Sequence, residues 1–209
     1  MLLDEISAAL QAGNARKTKE LVNQAIDEAV PVQDILSKGL LAGMDIIGKK
    51  FKNNEIFIPE VLISARAMNQ SVELLKPFFE ASGVKAVGKV CLGTVQGDLH
   101  DIGKNLVKLM LESKGFEVID LGTDVSPEKF VRSAIENDCS IICCSALLTT
   151  TSPVMGDVVK AVEAAGMRDK IKVMIGGAAV NQELCDEIGA DFYTPDATSA
   201  AEIALSLVQ

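Results

Sequence analysis

The sequence contains a single histidine, His100, and an odd number of cysteines, five, with no CxxC pair. One histidine without a cysteine cluster cannot build a closed zinc site, which takes about four protein ligands. The Cys143-Cys144 pair lies within an apolar run, where cysteine behaves as a small hydrophobic residue. This usage is typical of a reducing compartment and argues against a disulfide framework. We therefore expect the cysteines to be core residues.

Long apolar runs and an excess of basic charge are also absent. No stretch reaches the ~18 apolar residues of a membrane span, and the N-terminus lacks the basic and apolar regions of a secretory signal. The formal net charge is −9, whereas nucleic-acid binders normally carry a basic face. We expect a cytoplasmic protein that has no nucleic-acid or membrane partner.

The apolar residues follow two different periods along the chain. Residues 1–83 show a spacing of about 3.6 throughout, which predicts a four-helix bundle whose last helix begins near Pro59 and stops between Pro77 and Gly83. Residues 84–209 alternate short β-rich runs with helical stretches, which is typical of an α/β fold with a parallel sheet. We expect a flavodoxin-like, Rossmann-like, doubly wound five-stranded sheet, and a hinge near Gly83. The predicted strands are 89–95, 117–121, 141–145, 172–175 and 191–193.

His100 follows the first predicted strand, at the edge where doubly wound folds bind ligands. Asp98 stands two residues earlier and can accept a hydrogen bond from one ring nitrogen, leaving the other for a metal. Gly97 and Gly103 would let the backbone approach a flat ligand closely. The spacing alone leaves an inert surface histidine open. If His100 does bind a metal, the remaining ligands should come from a cofactor.

Three short motifs together resemble the signature of the cobalamin-binding family: Asp98-x-His100-x-x-Gly103, Ser145-x-Leu147 and Gly176-Gly177. The resemblance implies a cobalamin cofactor whose own benzimidazole tail leaves cobalt, with His100 as the lower ligand. Asp98 would then orient the histidine, and Thr151 would complete a relay, where the related methionine synthases usually have serine. The further cofactor-binding residues that the resemblance implies are Gly97, Leu99, Asp101, Ile102, Ser145, Leu147, Thr149, Gly176, Gly177, Asp196 and Ala197.

The helical half also resembles a known unit, the cap of methionine synthase and of small methyltransferase corrinoid proteins. The matching segments are Gly48-Lys-Lys-Phe51, Ile56-Phe-Ile58-Pro-Glu-Val61 and Ser64-Ala-Arg-Ala-Met68. The resemblance implies that Phe51 and Ile58 cover the upper face of the corrin ring. Taken alone, these two side chains could equally fill the core of the bundle.

The resemblance as a whole implies a methyl carrier that is not an enzyme on its own. Its partners would be a substrate-specific methyltransferase, an acceptor methyltransferase that uses tetrahydrofolate or a thiol, and a reductive activator. A cobalamin-dependent sensor is the alternative, but it needs an output segment, and the acidic chain has no basic helix-turn-helix. A mutase subunit would lack the apolar cap, and a flavodoxin-like domain without a corrin would leave Asp98 and His100 unexplained.

Overall fold

The computed structural model describes residues 1–82 and 86–208. The chain forms two compact units, Met1–Lys85 and Ala86–Gln209. The predicted domain boundary between residues 83 and 84 and the predicted hinge near Gly83 lie outside the described residues. Within the described part, no helix is both long enough and apolar enough to span a bilayer.

The first unit consists of helices, as its apolar spacing predicts. The fully buried Ile6, Leu10 and Leu40 form part of its core. Its last helix continues through Pro77 and ends at Ser82, within the predicted stretch from Pro77 to Gly83. A proline removes a single helical hydrogen bond, and the packing of this helix along the second one holds it together. The elements are α1 (Leu2–Gln11), α2 (Ala15–Asp27), α3 (Val32–Asp34), a π-helical segment (Ile35–Leu41), α4 (Ala42–Lys52) and α5 (Ile58–Ser82).

The second unit is a five-stranded parallel sheet with order β2-β1-β3-β4-β5, which confirms the predicted α/β class. Predicted and observed element ends differ by at most two residues. The strands are β1 (Lys89–Thr94), β2 (Glu117–Asp120), β3 (Ile141–Ser145), β4 (Lys172–Gly176) and β5 (Phe192–Tyr193). The helices are α6 (Ile102–Ser113), α7 (Pro127–Glu136), α8 (Val154–Ala164), α9 (Gln182–Ile188) and α10 (Ala197–Ser206).

Close packing and helix capping fix the central strands and their helices. A Cβ at Gly93 on β1 would lie 2.8 Å from the ring of Phe130, so glycine there leaves room for this fully buried side chain on α7. Ser126 caps α7 by accepting a hydrogen bond from the Lys129 amide, and Pro127 occupies the first turn. Helix α7 is thereby held beside β1.

The strand order creates a topological switch point between β1 and β3. The chain leaves β1 toward β2 on one side and returns to β3 on the other. The loops that follow β1 and β3 therefore diverge at the carboxyl edge, and doubly wound folds bind their ligands in this crevice. The loop after β1 carries His100, and the loop after β3 carries Leu147 and Thr151.

Candidate functional site

Asp98 connects the two loops of the switch point. Its side chain is fully buried. One carboxylate oxygen, Oδ1, accepts hydrogen bonds from the backbone amide of His100 at 3.0 Å and from His100 Nδ1 at 2.7 Å. The other, Oδ2, accepts from the Leu147 amide at 2.8 Å, the Leu148 amide at 3.3 Å and the Thr151 hydroxyl at 2.9 Å. Five donors thus converge on one carboxylate.

The protonation state of Asp98 follows from these contacts. Burial alone would raise the pKa of Asp98, but the hydrogen bonds from the His100 amide and ring, the Leu147 amide and the Thr151 hydroxyl outweigh it. Together they hold the pKa well below its ordinary value. An ionised carboxylate only accepts hydrogen bonds, so Nδ1 of His100 carries the proton that it shares with Asp98. In the neutral ring the lone pair then lies on Nε2.

Nε2 of His100 is left for a ligand from outside this network. The His100 side chain is 51% exposed, and among the described residues Nε2 has no hydrogen-bond partner. Four of the six exposed large apolar side chains in the described part of this unit lie on the two loops that share Asp98 or directly after them: Leu99, Ile102, Leu147 and Leu148. Leu99 and Ile102 are more than 70% exposed. An imidazole with apolar neighbours on a solvent-exposed surface is typical of a ligand-binding site.

Two glycines that the motifs single out have a role in shaping this surface. Gly97 adopts φ +83, a conformation that favours glycine. Gly103 is exposed, and a Cβ built on it would meet nothing within 4 Å. The protein's own packing therefore does not require glycine at position 103, and the open space there is what the approach of a flat ligand needs.

The glycine that ends β4, Gly176, and the one that follows it, Gly177, hold neighbouring loops together. A Cβ on Gly177, which has φ +127, would lie 2.0 Å from the carbonyl oxygen of Ala146, so the loops after β3 and β4 touch through their backbones. A Cβ on Gly176 would lie 3.1 Å from the carbonyl oxygen of Thr194 after β5. The loops after β3, β4 and β5 therefore adjoin along the carboxyl edge.

The remaining predicted residues of this unit also lie at the carboxyl edge. Ser145 ends β3 and is half-buried, whereas Thr149 in the following loop is exposed. Asp101 precedes α6 and accepts a hydrogen bond from the Asn105 amide group. Asp196 caps α10 through the amide and hydroxyl of Ser199, and the following Ala197 is buried. Helix capping is thus a structural role that Asp196 has independently of any ligand.

The predicted cap residues lie in the first unit. Phe51, near the end of α4, is half-buried, and Ile58, at the start of α5, is 41% exposed. Phe57, which precedes Ile58, is 66% exposed, and Leu62 one turn later is 51% exposed. Sequence reasoning overlooked Phe57 and Leu62, although their positions beside and four residues after Ile58 place them on the same apolar end of α5.

Two further residues at the His100 turn were also missed. Leu148 donates its amide to Asp98, and its position directly after Leu147 was the available signal. Asp124, in the loop after β2, accepts a hydrogen bond from the Gly97 amide at 2.8 Å. Nothing in its local sequence indicates this contact, because the two residues lie on different loops.

Fold and site together define a class of protein: a doubly wound α/β unit that presents one carboxylate-oriented imidazole at its switch point, preceded by a helical unit. Comparison with known sequences is consistent with this class. Residues 88–204 match the family described as B12 binding domain, and residues 2–76 match a second family of the same description. The chain belongs to the B12 binding domain family, and the predicted cobalamin-type corrinoid cofactor is thereby confirmed.

Individual relatives are similar along almost the whole chain. Dimethylamine corrinoid protein 3 of Methanosarcina acetivorans is 42% identical over 99% of this chain and 97% of its own length. The solved methanol:cobalamin methyltransferase complex of Methanosarcina barkeri contains a chain that is 31% identical, with TM-score 0.89, covering 99% of this chain and 79% of that one. A cobalamin-binding protein of Desulfitobacterium hafniense is 32% identical, with TM-score 0.82 and coverage of 99% and 98%.

The residues of the site fit a corrinoid. Its flat ring can lie over the open space at Gly103, and its apolar face can cover the exposed Leu99 and Ile102. His100 offers a single nitrogen donor, as a metal with ligands of its own needs from the protein. Among the described residues, no group of three or more His, Cys, Asp or Glu side chains could hold a metal ion.

Proposed function

We propose that this chain is a methyl carrier that shuttles a methyl group between a substrate-specific methyltransferase and an acceptor methyltransferase that uses tetrahydrofolate or a thiol. The observation that carries the proposal is the convergence of five donors on the buried Asp98, which fixes the ring of His100 and leaves Nε2 free. The bound corrinoid would supply a cobalt centre that accepts a methyl group and later gives it up.

His100 would hold cobalt from below through Nε2, with the cofactor's own base displaced from the metal. Asp98 would fix the ring and favour the tautomer that has its lone pair on Nε2. The Thr151 hydroxyl would stabilise the negative charge on Asp98 and, through it, a proton at Nδ1. A proton gained or lost by this network would change how strongly the imidazole donates to the metal.

The loops after β3, β4 and β5 would receive the displaced tail. Ser145, Leu147 and Thr149 would line one side, and Gly176-Gly177 would leave room for a flat base. The segment that contains Asp196 and Ala197 would close the other side. The close backbone approaches at Gly176 and Gly177 bring the loops after β3, β4 and β5 side by side, which supports a binding surface that these loops share.

Phe51 and Ile58 would exclude water and oxidants from the upper face of the corrin until a partner enzyme arrives. The exposed Phe57 and Leu62 of the same segment add to the apolar surface available for this purpose. Exposed apolar side chains of this size are typical of surfaces that become covered in function.

Partner enzymes would perform the chemistry on the substrate and on the acceptor, so the chain alone would not be an enzyme. Similarity to a chain of a solved methanol:cobalamin methyltransferase complex supports a methyltransferase partner. Similarity to dimethylamine and trimethylamine corrinoid proteins supports a place in methylamine or methanol systems. A reductive activator would return the cofactor to its active state, and the cytoplasm would supply the reducing conditions.

Cofactor binding is tested by anaerobic reconstitution of the apoprotein with hydroxocobalamin, followed by desalting and a visible spectrum. The wild type should retain a near-stoichiometric corrin spectrum. His100→Ala should lose the cofactor or shift its spectrum, whereas the exposed Gln96→Ala in the same loop should match the wild type. A wild-type protein that emerges colourless would overturn the proposal.

The carrier role needs a separate test. Protein loaded with methylcobalamin that carries an isotopically labelled methyl group is mixed with tetrahydrofolate or a thiol. The label should stay on the protein until an acceptor methyltransferase is added, and should then move to the acceptor. Rapid transfer by the protein alone would make it an enzyme and contradict the carrier role.

A further inference from the structure

The turn that carries Asp98 and His100 is held from two sides. On the β3 side, three donors from the loop after β3 bind the Asp98 carboxylate. On the β2 side, the contacts go to the backbone of the turn and come from the loop after β2. This second set has no part in the family signature or in the proposed ligand relay, so its purpose requires an explanation.

Asp124 makes both of the direct contacts on the β2 side. Its carboxylate accepts a hydrogen bond from the Gly97 amide at 2.8 Å, and its own amide donates to the Asp98 carbonyl at 3.0 Å. The Asp98 amide in turn bonds the Val95 carbonyl, and Gly97 has φ +83, as the third residue of a type II turn does. Asp124 therefore holds the two residues at the closing end of this turn.

The backbone of Asp124 is strained, which indicates that its side chain makes a contact that offsets the strain. Its φ is +54, a region that costs a residue with a Cβ about 1 kcal/mol and that glycine adopts freely. Glycine would relieve the strain but would remove the acceptor for the Gly97 amide. Aspartate and asparagine are the side chains that both tolerate this region and supply an oxygen.

A second contact joins the first turn of α6, which follows His100, to the end of β2. Lys104, in the first turn of α6, is 3% exposed and donates to Asp120 Oδ1 at 2.7 Å. The same oxygen accepts from the Gly122 amide at 3.0 Å, and the Gly122 carbonyl accepts from the Thr94 amide. At the end of β2, an ion pair with a buried lysine thus fixes the start of the loop after β2, the loop that carries Asp124.

We propose that Asp124 is a positioning residue for His100: by holding Gly97 and the Asp98 carbonyl, it fixes the turn from which Asp98 and His100 project. Asp124 acts through the turn and does not itself contact the ring. The inference rests on the proposed function, because a fixed imidazole matters only if it binds the cofactor metal.

The test compares Asp124→Gly, which keeps the backbone conformation and removes the acceptor, with Asp124→Asn, which keeps an oxygen for the Gly97 amide. Asp138→Gly is the matched control, since Asp138 has φ +57 but precedes β3 at the opposite edge of the sheet. Two quantities are measured: amide hydrogen exchange of residues 96–101 in the apoprotein, and the rate at which bound hydroxocobalamin is released.

We expect Asp124→Gly to exchange faster in residues 96–101 and to release the corrinoid about fivefold faster, the effect of one partly exposed hydrogen bond to a carboxylate. Asp124→Asn should show exchange and release rates close to those of the wild type, and Asp138→Gly should change neither rate. Release from Asp124→Gly that matches Asp138→Gly would overturn the inference, whatever happens to exchange. A wild type that retains no corrinoid would refute the proposed function, while unchanged exchange in Asp124→Gly would separately refute the hold on the turn.

Discussion

The hydroxyl of Thr151 provides a sharp test of how the Asp98 network is held. Thr151→Val keeps the branched shape and removes the hydrogen bond of 2.9 Å to Asp98 Oδ2. Both residues are buried, so water cannot replace this donor. Hydrogen bonds to charged groups contribute about 1.5–3 kcal/mol. Because Oδ2 still accepts hydrogen bonds from the amides of Leu147 and Leu148, we expect a loss near the lower end of this range. Thr151→Val should lower the free energy of unfolding by about 1.5–2 kcal/mol at neutral pH.

The same substitution should change the acid dependence of stability. The pKa of Asp98 is lowered in the folded protein, so the ionised group contributes stability above the unfolded-state pKa of about 3.9. That contribution is lost as the pH falls through the lower folded-state pKa. Removing one donor raises the folded-state pKa, by about one unit for each 1.4 kcal/mol. The unfolded-state pKa is common to both proteins, so the difference in stability between Thr151→Val and the wild type should persist below pH 4. It should shrink only as the pH falls through the lowered folded-state pKa values of Asp98.

The measurement can be confined to the sheet unit. Tyr193 is the only tyrosine and tryptophan is absent, so tyrosine fluorescence during urea unfolding reports on β5 and its surroundings. Thr151→Ser is the matched control, because it keeps the hydroxyl and loses a methyl group worth about 0.8 kcal/mol. If Thr151→Val were as stable as Thr151→Ser at neutral pH, the hydroxyl would not support Asp98, and the reasoning would fail.

Three further predictions concern the sheet unit. Gly177→Ala should lower the free energy of unfolding in urea by about 3–5 kcal/mol, because its Cβ would meet the Ala146 carbonyl at a positive φ. The control Gly189→Ala, at φ +70 in open space, should lower it by only about 1 kcal/mol. Equal losses in the two variants would contradict the predicted clash at Gly177. All five cysteines are buried, and burial raises the pKa of Cys91 to about 12. Mass spectrometry should therefore find no alkylated cysteine at pH 8 until the protein is unfolded. Rapid alkylation of the folded protein would contradict this prediction. The pKa of Asp191 is lowered, because its hydrogen bonds and ion pairs outweigh its burial. Asp191→Asn should therefore lower the free energy of unfolding by about 1–3 kcal/mol at pH 7, and this loss should narrow as the pH falls through the folded-state pKa of Asp191. A loss that does not depend on pH would show that the charge of Asp191 is not involved.

The fold could be predicted from the sequence because its elements are strongly patterned. The apolar run Ile141–Ser145 was placed correctly to the residue, since a buried central strand leaves little freedom in its ends. The end of α5 was predicted only as a range, from Pro77 to Gly83, because the local signal of a proline is weaker than the packing of a long helix, and the helix continues to Ser82. Both outcomes have the same cause: packing decides where local preference is ambiguous.

The candidate site was predictable only where short motifs carry it. The spacing of Asp98 and His100 indicates a shared hydrogen bond, which the structure contains at 2.7 Å. The contact of Asp124 with Gly97 joins residues on separate loops, and no periodicity or motif in one sequence can show it. The position of Phe57 beside Ile58 was a signal in the sequence, but its exposure depends on how α5 packs and became visible only in three dimensions.

The central claim, that His100 binds cobalt, can be tested directly because the chain has one histidine. Two samples are reconstituted with the corrinoid, one produced with ordinary histidine and one with 15N-labelled histidine. Both are reduced to the paramagnetic Co(II) state, and their EPR spectra are compared. A nitrogen bound to cobalt splits each cobalt line into a triplet for 14N and a doublet for 15N. We predict that triplets become doublets on labelling. Triplets that persist with labelled histidine would show that the cofactor's own base remains on cobalt, and would contradict the account.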